Sequence, residues 1–193
     1  MKENPIATRT KDSIEAALIA LMGEMPYRNI SIRALTVRAG LSRQAFYTHF
    51  REKDDVLVRH MLSLLADILT RIRRERIDTV EKLVGFYTSV VEENAAFFRL
   101  LVDNDLTGLV RRVYSRYLVA LPPVLGCQRE NRSESERKYF NVFWVAAFIE
   151  VYAAWLAEDR ATARAEIVSI LSDLMQGSYF PPEGGRSIAQ KTE

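Results

Sequence analysis

Ala39-Gly40-Leu41-Ser42-Arg43-Gln44-Ala45-Phe46-Tyr47-Thr48-His49-Phe50 is where two helical patterns meet. Gly40 suits the position just past a helix end, where φ turns positive and a β-carbon costs about 1–2 kcal/mol. Leu41 is apolar because it must fill the space between two helices. Ser42 can cap the helix that follows, which ends near His49. Upstream, Ser31 caps a short helix over Ile32–Ala39. Two short helices joined by a tight turn make a helix-turn-helix. Leu35 and Phe46 face inward with Ile32 and Leu21, leaving Arg33, Arg43, Gln44, Tyr47 and His49 on the outer face. Arg can bridge guanine O6 and N7, and Gln can pair with adenine N6 and N7. Tyr, His, Ser and Lys are typical phosphate partners.

Outward from this motif, helical spacing persists. Ile14, Leu18, Leu21, Met22 and Met25 predict a first helix from about Thr10 to Glu24, closed by Pro26. Val58 through Ile72 predict a long helix over Lys53–Arg76, about 36 Å in length. Val80–Val91 carries a fifth stripe, and Asn94 reads as the cap of a short helix through Val102. Leu106 to Leu121 is another stripe, stopped by Pro122-Pro123. Gly126–Arg132 is a polar loop. Ser133 with Glu136 is a capping box opening a helix to about Glu158. Asp159 reads as the cap of a last helix, with Ala163, Ile167, Ile170, Leu171 and Leu174 in its stripe and Gly177 at its end. No run reads as a strand, so the class is all-α with about nine helices. The expected division is a helix-turn-helix domain over 1–52, a helical bundle over 53–180 and a disordered tail over 181–193. The seam at Arg51–Asp55 opens the long helix and is expected to be rigid.

Composition narrows the function classes. The 193 residues carry 27 basic and 25 acidic side chains, so there is no global polyanion-binding charge. Residues 1–60 hold 10 Lys/Arg against 7 Asp/Glu, a weak basic bias compatible with nucleic acid. One cysteine, Cys127, excludes an intramolecular disulfide, and with two histidines no metal or other cofactor is expected. The start lacks an apolar signal region, so a reducing, cytoplasmic setting is expected. Phe140–Ala157 has only Asn141 and Glu150 as strongly polar residues, but it is short of the ~20 residues of a membrane span. It reads instead as a helix buried on nearly all sides, with no membrane partner.

The stretch Ile30–Leu57 resembles the DNA-binding signature of TetR-type transcriptional regulators. Ala39-Gly40-Leu41-Ser42, Phe46-Tyr47-x-His49-Phe50 and Lys53-x-x-x-Leu57 stand at that family's spacing, within a match covering about residues 10–57. The resemblance implies that Arg33 and the Arg43-Gln44-Ala45 face reach base edges. It implies that Ser31, Ser42, Tyr47, His49 and Lys53 hold phosphates, and that Phe46 and Phe50 seat the recognition helix. Thr36 departs from the small Ala usual there, which would loosen helix packing slightly. Pro26 stands where Gly often precedes the aromatic at Tyr27. The family dimerises with its final helices, and the same is implied here.

The bundle holds no nucleophile elbow, phosphate loop or zinc-protease motif, so an enzyme is not expected. Its many aromatics can fill a core or wall an apolar cavity. Phe86, Tyr87, Phe97, Tyr114, Phe143 and Glu150 are the candidate ligand residues. Glu150, inside an apolar helix, has three possible settings: solvent, an Arg across a subunit interface, or the pocket. Alanines at 146, 147, 153, 154 and 157, with the narrow stripe of the last helix, suit a four-helix dimer interface. The resulting expectation is a homodimeric repressor that reads an inverted-repeat operator in double-stranded DNA and is released by a small apolar ligand. The alternative is a helical interaction or architectural protein of the same fold with no inducer.

Overall fold

The first helix, α1 (Pro5–Met22), begins five residues before the point where the apolar stripe suggests a start. Asn4 accepts a hydrogen bond from the Ile6 amide at 3.0 Å, and Pro5 occupies the first turn, where no amide is missed. This computed structural model describes residues 4–75, 77–117 and 133–177. Within them lie nine α-helices and no strand. A 3-10 turn at Tyr27–Asn29 precedes α2 (Ile32–Arg38) and α3 (Arg43–His49). The bundle comprises α4 (Lys53–Glu75), α5 (Val80–Glu93), α6 (Ala95–Asp103), α7 (Thr107–Tyr117), α8 (Glu134–Ala157) and α9 (Arg164–Gln176). The expected stop at Pro122-Pro123, the loop Gly126–Arg132 and the tail from Pro181 lie outside the described residues.

Two expected caps are corrected. Asn94 makes no side-chain bond to the start of α6; its Nδ2 donates back to Val90 O at 2.8 Å, closing α5. Asp159 does not cap α9. Asp159 and Arg160 both take positive φ, Asp159 pairs with Arg99, and Ala163 stands at the N-cap without a side-chain bond. The Ser133–Glu136 capping box is present in both directions.

The small module and the bundle share one core. Ile14, Leu18, Leu35, Phe46 and Leu57 are fully or almost fully buried in the same cluster as Phe97, Leu101, Leu109, Val110 and Val113 from α6 and α7. Burying a side chain of this size is worth about 1.5–3 kcal/mol, so this shared cluster is what fixes the module on the bundle. The seam is fastened as well: Asp55 Oδ2 accepts from the Arg51 and Glu52 amides at 2.8 and 3.1 Å. Two further clusters hold α5 to α8 and α9, and α5 to the far half of α4.

The expectation that α8 is buried on nearly all sides is also corrected. Val145, Tyr152, Trp155 and Leu156 are buried, but Tyr139 is 66%, Phe143 62% and Val142 49% exposed. By length and composition alone α8 could cross a bilayer, with mean hydropathy 1.6 over its most apolar 18 residues. Its inner face instead packs on α6 and α7.

Candidate nucleic-acid interface and ligand cavity

The helix-turn-helix is built by local chemistry. Ser31 Oγ and Ser42 Oγ each accept an amide proton, from Ala34 and Ala45, both at 3.1 Å. Gly40 takes φ +67° between them, as the turn requires. Thr36, buried beneath, donates to Ile32 O at 2.9 Å, so its hydroxyl is satisfied where looser packing was expected. Phe46 is fully buried and packs edge-on against Tyr47 and tilted against Phe50.

This arrangement leaves one face of α3 open. Arg43, Gln44 and Tyr47 are exposed, Ala45 and His49 half-buried, and Arg33 exposed at the start of α2. Arg38 is committed to Glu24 through two bonds of 2.7 and 3.1 Å. Arg33 and Arg43 have no acidic partner among the described residues, so both guanidiniums can accept an outside one. The Ser31 and Ser42 hydroxyls use a lone pair in capping and keep a proton to donate.

Lys53 has a structural engagement the sequence did not disclose. Its Nζ donates to Tyr27 O at 2.6 Å and Ile30 O at 3.2 Å, and sits 4.2 Å from the Tyr27 ring centre. Burial lowers its pKa, against the opposing effect of Asp54. An ammonium has three donors, so one remains. Tyr27 is a junction: its hydroxyl donates to Asp54 at 2.5 Å, and its amide donates to Asn104 Oδ1, in the α6–α7 turn, at 2.6 Å. Burial, then the Asp54 bond, raises the Tyr27 pKa.

In the bundle, α4–α8 line a partly open apolar cavity of about 120 Å³. Of the six candidate ligand residues, it is lined by Tyr87 and Tyr114. Phe86 packs instead beside Arg71, Phe97 lies against His60, and Phe143 is exposed. Glu150 lies outside the cavity, with its side chain 60% exposed in the single chain and Arg111 Nη1 at 3.7 Å. Trp144, Phe148 and Tyr152 also line the cavity. Their spacing of four puts them on one helical face, a signal that separates them from Phe143, one residue and about 100° away. The volume is below the ~300 Å³ of a drug-sized site, and within the lining Phe148 packs on Tyr87 and Tyr152 with ring centres 5.7 and 5.8 Å apart.

Residues 14–59 match the family model described as bacterial regulatory proteins, tetR family. This module is of the TetR family. A likeness in fold extends beyond the module. A structure titled fatty acid degradation regulator FadR from Bacillus halodurans is 18% identical, with TM-score 0.65, covering 93% of this chain and 99% of that one. A TetR transcriptional regulator from Streptococcus agalactiae is 20% identical, with TM-score 0.64 over 88% and 94%. Thermus thermophilus FadR, titled a transcriptional repressor in complex with lauroyl-CoA, is 18% identical, with TM-score 0.60 over 92% and 98%. At these identities the likeness concerns the fold.

Proposed function

We propose that this chain is a cytoplasmic, homodimeric repressor that reads an inverted-repeat operator and is released by a small apolar ligand. The observation that carries it is the open face of α3: Arg43, Gln44 and Tyr47 are exposed together, and Arg43 has no acidic partner among the described residues. Arg33, Arg43, Gln44 and Ala45 are assigned to base edges, and Ser31, Ser42, Tyr47, His49 and Lys53 to phosphates. The uncovered apolar face of α8 supports a dimer, and the lauroyl-CoA bound by the Thermus protein supports an apolar ligand here.

Operator selection followed by titration tests the assignment. Half-sites should lie about 34–36 Å apart, or a multiple of that. Arg43→Ala and Gln44→Ala should each lose about 1–3 kcal/mol of sequence discrimination while keeping binding to random duplex. Tyr47→Phe should weaken all sequences alike. Equal losses for Arg43→Ala on operator and random duplex would remove Arg43 from the base-reading set. The small cavity favours the architectural alternative without an inducer, and a selection that returned no motif would decide for it.

The route from cavity to DNA follows the packing. Val110 lines the cavity and also belongs to the core shared with the module, and Asn104 ties the α6–α7 turn to Tyr27. Ile68 on α4 lines the cavity as well, and the same helix begins at Lys53, beside the recognition helix. A ligand that pushes α7 or α4 outward moves Tyr27 and Lys53 with them. It releases DNA only if it binds the displaced state better. Asn104→Ala should leave ligand affinity unchanged but cut the ligand's effect on operator affinity by about 0.5–2 kcal/mol of coupling. Full coupling in this variant would place the route elsewhere.

A further inference from the structure

The walls of the cavity are almost wholly hydrocarbon. Ile68, Leu83, Val90, Val102, Val110 and Leu156 supply aliphatic carbon, and no Asp, Glu, Lys, Arg or His is among the described lining residues. The aromatic residues add ring carbon and withhold their polar atoms. Tyr87 OH, Tyr114 OH and Trp144 Nε1 are buried out of reach of an occupant, and Tyr152 OH is engaged with Thr88 Oγ1 at 2.9 Å. Thr107 is the only other polar side chain among the described lining residues. Size is the second constraint. An apolar cavity of about 150 Å³ stays dry and holds benzene, so 120 Å³ has room for about six carbons at most. A chain as long as the lauroyl group carried by the Thermus protein's ligand needs roughly twice that space by the same measure.

We propose that the cavity takes one bare hydrocarbon group of about six carbons, either a small hydrocarbon itself or the apolar end of a molecule whose polar part stays outside the opening. This rests on the reading of the cavity as the ligand site. A polar atom brought inside loses its hydrogen bonds to water and meets no accessible partner in return. Water itself is a poor occupant for the same reason, since it needs two to four polar partners. The cavity is partly open, so a polar head has a way to remain in solvent while the hydrocarbon is buried. Affinity then comes from carbon alone, at roughly fourfold per methylene buried, and stops growing once the space is full.

Calorimetric titration of the full chain with two sets of probes tests it. Cyclohexane and para-dioxane share a shape, but dioxane carries oxygens at opposite ends, so no orientation keeps both outside. Cyclohexane should bind tighter by about tenfold or more. Along the straight-chain alcohols from butanol to decanol, affinity should rise roughly fourfold per carbon and level off near about six carbons. Cyclohexane tighter than hexanol identifies a free hydrocarbon as the occupant, and the reverse identifies the end of a larger molecule. Ala153→Leu adds carbon to the lining and should weaken cyclohexane by about tenfold or more. Phe148→Leu removes carbon from it and should move the levelling point to longer chains. Equal binding of cyclohexane and dioxane, or a rise that continues to decanol, overturns the proposal. Binding of neither set overturns it together with the cavity as a ligand site. The expected pattern of binding with no loss of operator affinity leaves the proposal standing and overturns ligand release of DNA instead.

Discussion

Phe143→Glu and Ile170→Glu should each convert the proposed dimer to monomers and lower affinity for the proposed operator by about 10²–10⁴-fold. Along α8, Tyr139, Phe143, Ala146, Glu150, Ala154 and Ala157 recur at intervals of three or four and so share a face. Tyr139 and Phe143 are left largely in water at one end of it, and the alanines keep the remainder slim enough for close approach. On α9, Leu174 is exposed and Ile170 half-buried. A glutamate on either helix would have to be buried against the partner without a counter-charge, which dissociation avoids. The affinity loss follows from linkage: in a dimer the second recognition helix binds its half-site at a high effective concentration, a gain of 10²–10⁴ that monomers forfeit. Sedimentation and operator titration on the same preparations check both halves. An intact dimer for both variants would place the interface on another surface.

The parts of the fold that were legible in sequence are those set by local chemistry. Gly40, Ser31 and Ser42 act within a turn or two of themselves, and their turn and caps stand at the predicted positions. The Ser133–Glu136 box is equally local. Asn94 and Asp159 show the limit. Each is a residue type that caps helices, yet Asn94 finds a better acceptor in Val90 O behind it, and Asp159 is drawn to Arg99, 60 residues away in sequence. No sequence pattern ranks such competitors. The same holds for the candidate site. Exposure of the α3 face follows from helical period, whereas the cavity depends on how five helices meet. Phe86, Phe97 and Phe143 are aromatic in the right region, but they turn toward Arg71, His60 and solvent. Tyr27–Asn104, joining residues 77 apart, left no trace in either local pattern.

Phe46→Ala should abolish binding to operator and random duplex alike while sparing the cavity. Phe46 is fully buried at the centre of the helix-turn-helix and touches Tyr47 and Phe50 on its own segment. Removing a buried phenyl ring costs about 3–5 kcal/mol, part transfer and part residual void. For a chain of this size that is a fall of roughly 6–20 °C in Tm, at about 2–4 °C per kcal/mol. The recognition helix has only seven residues and cannot hold its shape without that anchor. The void opens in the buried cluster that also holds Leu18, Leu21 and Leu35, so α1 and α2 loosen with α3, and the proposed phosphate contacts are lost with the proposed base contacts. The cavity draws its lining from α4–α8, and Phe46 is not part of it. Ligand affinity and dimer mass at 20 °C should therefore match the parent. This pattern separates Phe46→Ala from Arg43→Ala, which should leave Tm unchanged and damage only discrimination. Thermal melts by circular dichroism, with duplex titration and ligand calorimetry on the same sample, make the comparison. Retained binding to random duplex in Phe46→Ala would show that α3 is held on the module by the Leu35 and Leu41 contacts without the ring.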